Sequence, residues 1–209
     1  DKELGARRYL ALAWTFAREG MTQPLIVLRG PSGAGKSVLA GAIAPWLGAE
    51  VVRSDQVRKE LAGLAPTDRL DAAGNEALYS SDMSAKTYAT VLDRGIDAIG
   101  RGRSAILDAT YLRRDARDAA RAAAAAVGAP FVIVDVLCDD DEIRDRLAER
   151  EARGEDASDA GIAVYEAQIS EAEAIAEDER PYTVTWRSGD PPEIGVLDVI
   201  DGLERSGGA

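Results

Sequence analysis

The stretch LIVLRGPSGAGKSVLA, residues 25–40, decides the fold of this 209-residue chain. It opens with the apolar run Leu25–Leu28, which is typical of a strand buried on both faces. Residues 30–37 then match the pattern G-x-x-x-x-G-K-[ST], and a helical pattern follows. Glycines allow such a loop to turn so that successive backbone N–H groups point inward at phosphate oxygens. The stretch therefore predicts a strand, a phosphate-binding loop (P-loop) and a helix.

This loop predicts a nucleoside triphosphate ligand, ATP or another NTP, together with Mg²⁺. We expect Lys36 to bridge the β- and γ-phosphates and the Ser37 hydroxyl to ligate Mg²⁺. The start of the following helix adds the positive end of a dipole. The residues expected to hold the nucleotide through the loop are Gly30, Ser32, Gly33, Ala34, Gly35, Lys36, Ser37 and Val38.

Composition excludes several other classes of protein. The chain has no histidine, which rules out imidazole-based catalysis and histidine-ligated zinc. Its single cysteine, Cys138, cannot form an internal disulfide and suits a reducing, cytoplasmic location. A net charge of −12 disfavours extended contact with nucleic acid or an anionic membrane. No apolar run approaches the roughly 20 residues that a membrane helix needs.

Strand and helix patterns alternate along the chain, which indicates an α/β fold of the P-loop NTPase type. We expect a five-stranded, mostly parallel sheet with helices on both faces. The predicted strands are Leu25–Leu28, Val51–Val52, Ala105–Leu107, Phe131–Leu137 and Tyr182–Trp186. The predicted helices are Lys36–Leu47, Gln56–Ala62, Asp82–Ile99, Asp115–Val127, the long charged stretch Asp140–Asp178, and Glu193–Glu204.

Two acidic residues follow predicted strands and are candidates for the chemistry. Asp55, in the run Ser54-Asp55-x-x-Arg58, lies at the carboxyl edge of the sheet, where open α/β folds bind ligands. Its carboxylate can accept the proton of an attacking hydroxyl, and Arg58 can hold the acceptor. A helix cap with a surface arginine is the alternative. Asp108 ends the third strand, where it can support the metal or the acceptor, or simply form a turn. Which aspartate takes the proton stays open.

The runs GPSGAGKS, RSDQVRKEL, SAILDATYLRRDAR and DRLAEREARGEDASDA together resemble one family. This is the P-loop kinase-like domain of bifunctional aminoglycoside-phosphotransferase-like/ATP-binding proteins. The chain is more distantly similar to polynucleotide 5′-hydroxyl kinases, zeta toxins and gluconate kinases. The resemblance covers roughly residues 24–190 and implies a connecting helix over residues 1–20 from an upstream phosphotransferase-like module. An extra helix packed on this domain explains residues 1–20 equally well.

The remainder, residues 21–209, is then the kinase-like domain, with a lid at about residues 140–180. The resemblance implies that lid arginines reach the phosphates, which makes Arg146 and Arg150 candidates. A solvated helix with Glu–Arg pairs is the alternative for either one. By the same likeness, Arg187 lies in a loop that borders the nucleotide base, although it also suits a plain turn.

Together these features predict transfer of the γ-phosphoryl group of ATP to a hydroxyl of a small-molecule acceptor. A polynucleotide 5′-hydroxyl kinase is the first alternative, because it shares the S-D-x-x-R run. A non-catalytic ATP-binding switch that reports to the upstream module is the second.

Overall fold

The structure is a computed structural model that describes residues 20–65, 77–153 and 161–207, with single positions at 9, 13, 16, 17, 68 and 74. Its centre is a sheet of five strands, all parallel, in the order β2-β3-β1-β4-β5. The strands are β1 (Leu25–Arg29), β2 (Ala49–Arg53), β3 (Ser104–Asp108), β4 (Phe131–Leu137) and β5 (Thr183–Arg187). The predicted fold class is confirmed.

Helices connect the strands and cover both faces of the sheet. They are α1 (Lys36–Leu47), α2 (Ser54–Leu61), α3 (Ser81–Gly100), α4 (Arg114–Ala126), α5 (Asp140–Arg153), α6 (Ile162–Ser170) and α7 (Pro192–Gly207), with a 3₁₀ helix at Glu177–Tyr182. None of the helices in the described ranges is both long and apolar enough to cross a membrane.

Strand β1 is buried on both faces and divides the core in two. Ile26 and Leu28 belong to one cluster, which includes apolar residues of α1, α5 and α7. Leu25 and Val27 belong to the other cluster, which includes apolar residues of α2, α3 and α4. A central strand with both faces covered explains why this run is apolar throughout, without polar alternation.

The register of the parallel strands sets the position of the site. Arg53 at the end of β2 lies beside Asp108 at the end of β3, and Leu28 of β1 lies on the other side of Asp108. The P-loop leaves β1 at the same edge, so the loop and Asp108 meet there. A backbone hydrogen bond from Gly30 N–H to the Thr110 carbonyl, 3.0 Å long, joins the two segments.

The predicted helical stretch over residues 140–178 is wrong in its last part. Helix α6 ends at Ser170, and the segment 171–176 that follows is not helical. Main-chain and side-chain bonds to other parts of the fold hold this segment, among them Glu173 N–H to the Leu112 carbonyl at 3.0 Å. Residues 154–160 of the predicted lid, and most of the predicted connecting helix over residues 1–20, lie outside the described residues.

Candidate active site

The P-loop has the backbone conformation that a phosphate-binding turn requires. Gly33 and Gly35 have φ angles of +84° and +97°, a region that residues with a side chain rarely adopt. Neighbouring groups also leave no room for a side chain. A Cβ atom on Gly33 would lie 3.1 Å from Ile143 Cγ2, and one on Gly35 would lie 2.9 Å from Ser188 Oγ. The loop is therefore enclosed by α5, which belongs to the predicted lid, and by the turn after β5.

A cleft of about 490 Å³ opens above this loop at the carboxyl edge of the sheet. It contains most of the residues that the sequence predicts to hold nucleotide and metal, along with both candidate acids and both lid arginines. Its lining residues are Ser32, Gly33, Gly35, Lys36, Ser37, Val38, Arg53, Ser54, Asp55, Asp108, Ala109, Thr110, Arg146, Arg150, Trp186, Ser188, Gly189, Asp190 and Pro192. Gly30 and Ala34 support the loop from beneath, with Ala34 fully buried.

Lys36 is buried at the base of the cleft. Its ammonium donates a hydrogen bond of 2.7 Å to the Pro31 carbonyl, which keeps the side chain folded against its own loop. Burial lowers the pKa of Lys36 to about 8, although the nearby Asp108 carboxylate opposes the shift. An anion that binds beside this buried ammonium stabilises it, because an opposite charge favours the protonated form of lysine.

The two candidate acids lie in different surroundings. The Asp108 side chain is only 4% exposed, whereas that of Asp55 is 18% exposed. Burial raises the pKa of the Asp108 carboxyl, while Lys36 and a hydrogen bond from the Ser37 hydroxyl oppose the shift. One oxygen of Asp55 accepts a hydrogen bond of 2.8 Å from Gln56 N–H. Asp55 is thus the acid that is more accessible to a substrate.

Ser37 and Asp108 together form an oxygen donor set that fits Mg²⁺. A hydroxyl and a carboxylate are the hard oxygen ligands that this ion prefers, and it usually keeps several waters besides. Both side chains line the same cleft, and Ser37 is one of the groups that oppose the upward shift of the Asp108 pKa. The residues present are therefore compatible with the predicted metal.

Both lid arginines reach the cleft from α5. Arg146 Nη1 donates to Ser188 Oγ at 2.8 Å and to the Gly33 carbonyl at 3.3 Å, so it joins the lid to the P-loop and to the turn after β5. Its Nη2 pairs with Glu142 one turn earlier on the same helix. Arg150 lies close enough to Lys36 to contribute to the lowering of that lysine's pKa.

Helix α6 contacts the P-loop through Gln168. The Gln168 side chain accepts a hydrogen bond of 2.9 Å from Ser32 N–H and donates one of 3.1 Å to Ser32 Oγ. The second lid helix is thereby fixed to the loop by a two-point contact, in which both polar groups of Ser32 take part.

Two predicted site residues lie elsewhere. Arg58 is a buried residue of α2. Its guanidinium donates to the Leu78 carbonyl and to Ser84 Oγ, both at 3.1 Å, and lies 4.7 Å from the centre of the Tyr79 ring. It connects α2 to the start of α3 and does not line the cleft. Arg187 is exposed and pairs with Asp139 at 3.3 Å. Its neighbours on either side, residues 186 and 188, line the cleft instead.

The sequence analysis did not predict several residues that contact the loop or line the cleft, among them Arg53, Gln168, Trp186 and Ser188. Trp186 and Ser188 flank the predicted Arg187, so a one-residue shift along the turn would have found them. Arg53 immediately precedes the S-D-x-x-R run and had no motif of its own. Gln168 had no local signal, because its partner Ser32 lies 136 residues away.

Comparison with known proteins gives both a family and a fold. Residues 25–175 match the model of the family AAA_33, described as an AAA domain. Uncharacterized proteins of Mycobacterium bovis and Mycobacterium tuberculosis are 30% identical to this chain over 153 residues, which is 73% of this chain and 30% of each relative. The chain thus spans about a third of the length of these relatives.

Solved structures of similar fold include two small-molecule kinases. A sugar kinase of Janibacter sp. matches with a TM-score of 0.62 at 19% identity, over 89% of this chain and 97% of that one. A gluconokinase of Sinorhizobium meliloti matches with a TM-score of 0.59 at 20% identity, over 88% and 93%. Kti12 of Chaetomium thermophilum, in complex with ADP-AlF3, matches with a TM-score of 0.65 at 18% identity, over 86% and 99%.

These findings do not support the narrower placement with bifunctional aminoglycoside-phosphotransferase-like proteins. The family match covers the P-loop, both candidate acids and both lid helices. The chain therefore belongs to the AAA domain family AAA_33 and has the fold of the P-loop kinases.

Proposed function

We propose that this protein transfers the γ-phosphoryl group of ATP to a hydroxyl group of a small-molecule acceptor. The proposal rests on one observation, which is that Lys36, Asp55 and Asp108 line the same cleft at the P-loop. This arrangement supplies a phosphate-binding cation, an accessible carboxylate and a buried, metal-side carboxylate within one site. A sugar kinase and a gluconokinase among the chains of similar fold support a small-molecule acceptor.

The nucleotide would bind with its phosphates in the P-loop. Backbone N–H groups of the loop and the Lys36 ammonium would hold the β- and γ-phosphates, with Arg146 and Arg150 on the lid side. The turn at residues 188–190 also lines the cleft and would border the base. Such fixed positive groups favour the charge that develops on the transferred phosphoryl, because they need no reorganisation during the reaction.

Ser37 and Asp108 would hold Mg²⁺. When bound there, the ion would supply positive charge that offsets the negative charge of the phosphates. The assignment uses the buried acid for the metal, and it leaves the more accessible acid, Asp55, for the acceptor.

Asp55 would act as the general base. As the acceptor oxygen forms a bond to the γ-phosphorus, the hydroxyl proton passes to the Asp55 carboxylate. The bond between the γ-phosphorus and the β,γ-bridging oxygen breaks, and its electron pair leaves with ADP. Phosphorylated acceptor, ADP and one proton are the products.

Charge near the acceptor position favours a small molecule over a polynucleotide end. The chain carries a net charge of −12, and Arg58, the predicted acceptor-binding cation, is buried and does not line the cleft. Arg53, which does line the cleft on this side, is already paired with Asp55. A nucleic acid strand would need cations along its backbone for tight binding.

Incubation with γ-labelled ATP and a panel of acceptors tests the proposal. The panel should contain sugars, sugar acids, nucleosides, aminoglycosides and 5′-hydroxyl oligonucleotides, with Mg²⁺ present. We expect label on one class of small hydroxylated compound. Salt-sensitive labelling of the oligonucleotide alone would instead establish the polynucleotide alternative.

A variant of the proposed general base distinguishes a kinase from a nucleotide-binding switch. Asp55→Asn should leave ATP binding intact and lower kcat by about 10²–10⁴-fold, the usual contribution of acid–base catalysis. Glu60→Gln is the matched control, because Glu60 lies on the same helix but forms an exposed pair with Arg94. Tight ATP binding with slow turnover that no acceptor stimulates, equal in both variants, would favour the switch.

A further inference from the structure

Arg53 is a charged residue of the cleft to which neither the motifs nor the proposed function gives a role. It is the last residue of β2, and the parallel register puts it directly beside Asp108 at the end of β3. Asp55 follows it by two residues, at the start of α2. The backbone alone therefore places one arginine next to both candidate acids.

The side-chain contacts confirm that Arg53 lies between these acids. Its Nη2 atom donates to Asp55 Oδ2 at 2.8 Å, and its Nε atom lies 3.7 Å from Asp108 Oδ2. The other Asp55 oxygen, Oδ1, accepts the Gln56 N–H bond. Both oxygens of Asp55 are thus engaged, one by main chain and one by Arg53, which restricts the rotation of the carboxylate.

One nitrogen of Arg53 is buried but makes no hydrogen bond within the described part of the chain. This atom is Nε, which is turned toward Asp108 at a distance too long for a hydrogen bond. Leaving a buried donor unsatisfied costs free energy, but Arg29 Nε is in the same state outside the cleft, so this atom by itself does not mark a structural or a functional arginine. The geometry instead suits a guanidinium that is held by one acid while remaining close to the second.

Charge gives the physical reason for such an arrangement. Asp55 and Asp108 line the same cleft, and two negative charges placed so close together repel each other. A base must be ionised to accept a proton. A guanidinium between the two carboxylates offsets this repulsion, and its planar array of N–H groups allows it to interact with both carboxylates at once.

We propose that Arg53 is the positioning residue of the reaction, which orients the Asp55 carboxylate toward the acceptor hydroxyl. This inference rests on the proposed function, because it assigns Arg53 an effect that acts through the general base. The cation that acts with Asp55 then differs from the one that the S-D-x-x-R run predicts. Arg53, which precedes the run, binds the Asp55 carboxylate, whereas Arg58 contributes to the packing of α2.

The test is a double-mutant cycle between Arg53 and Asp55, measured on the acceptor that the labelling panel identifies. Arg53→Gln should lower kcat by about 10²-fold, the cost of a misplaced reacting group, with the KM for ATP within about twofold of wild type. Combined with Asp55→Asn, it should cause no further loss, because its effect requires the carboxylate. A purely structural role would instead add to the Asp55→Asn effect.

Two further variants keep the test decisive. Arg53→Lys retains the positive charge but lacks the planar array of N–H groups that interacts with both carboxylates. Its kcat should therefore lie between those of wild type and Arg53→Gln. The same variant replaces Arg53→Gln in the cycle if Arg53→Gln does not fold. Arg101→Gln is the matched control, since Arg101 pairs with Glu50 at the opposite end of the same strand. Its kcat should equal that of wild type.

The outcomes separate the inference from the function beneath it. A wild-type protein that transfers phosphoryl to no acceptor overturns both. An active wild type with additive effects in the cycle overturns only the role of Arg53. A raised KM for ATP with unchanged kcat does the same, because it would make Arg53 a nucleotide-binding residue.

Discussion

Arg53 and Arg117 both pair with carboxylates in this fold, yet their surroundings differ. The Arg117 side chain is 0% exposed, and its Nε and Nη2 atoms donate to the two Glu179 oxygens at 2.7 and 2.9 Å. Arg53 is 30% exposed, contacts one acid closely and a second loosely, and lines a cleft. Complete bonding and full burial mark a residue that holds structure. Incomplete bonding beside open space marks one that is free to respond to a ligand.

The Arg117 pair has a clear structural task. Its Nη1 atom also donates to the Leu112 carbonyl at 2.8 Å, in the loop after β3. Its Nη2 atom reaches the Ala174 carbonyl at 3.3 Å, in the segment after the lid. One side chain thus connects the loop that follows Asp108 to the segment that follows α6.

The largest effect should come from removing that connection. Arg117→Met leaves the Glu179 carboxylate buried without its partner, and should lower the free energy of unfolding by about 3–5 kcal/mol. Denaturant unfolding measures this loss. The control is Arg94→Met, which removes an exposed ion pair and should lower the free energy of unfolding by less than about 1 kcal/mol. If Arg117→Met loses activity but keeps its stability, the contrast between the two arginines fails.

Lys36→Ala should give the opposite pattern. We expect phosphoryl transfer to fall by about 10²–10³-fold and ATP binding to weaken, because one preorganised cation is lost. Stability should not fall, since burial of the charged ammonium is unfavourable, as its lowered pKa shows. Kinetics, calorimetric titration with ATP and thermal melting measure the three quantities. Lys86→Ala, at an exposed position of α3, should change none of them.

A pair of glycine variants should separate backbone strain from contact with the lid. Gly33 and Gly128 both have positive φ, and alanine at either should cost about 1–2 kcal/mol of stability. A Cβ on Gly128 would meet open space, whereas one on Gly33 would press on Ile143 and Leu147 of α5. Gly33→Ala should therefore lose about 1 kcal/mol more. It alone should weaken ATP binding, and equal losses of stability and affinity in both would contradict this view.

Gln168→Ala should have the smallest effect. It removes both hydrogen bonds to Ser32, and the net contribution of such bonds is about 1 kcal/mol. Amide hydrogen exchange in α6 should become about fivefold faster in the free protein, because local opening costs less. Ser170→Ala is the control, since that hydroxyl donates to the Ala167 carbonyl of its own helix. Unchanged exchange would mean that α6 docks by other contacts.

The sequence was sufficient for the strands, the order of elements and the loop, because these depend on local apolar runs and on a motif with defined backbone demands. The roles of the arginines were harder to predict. Arg58 is buried because α3 packs on α2, through Ser84, which lies 26 residues away. Arg117 finds its partner 62 residues along the chain. No local pattern distinguishes these arginines from exposed ones, since burial depends on what the fold brings beside them.

The position of Arg53 beside Asp108 could not be predicted from the sequence for a related reason. The short run Val51-Val52 predicts a strand but neither its length nor its register. Only the full span Ala49–Arg53, paired with β3, puts Arg53 next to Asp108. Register decides which side chains share an edge, and it becomes visible once the sheet is assembled.

The hydrogen bond between Gly30 N–H and the Thr110 carbonyl has a consequence for how this scaffold can be altered. It couples the phosphate-donating half of the cleft to the loop after β3 through main chain alone. Replacement of side chains around the acceptor position would leave that spacing unchanged. Variants with new acceptor preferences can therefore be sought by randomising those side chains, while the donor geometry is inherited intact.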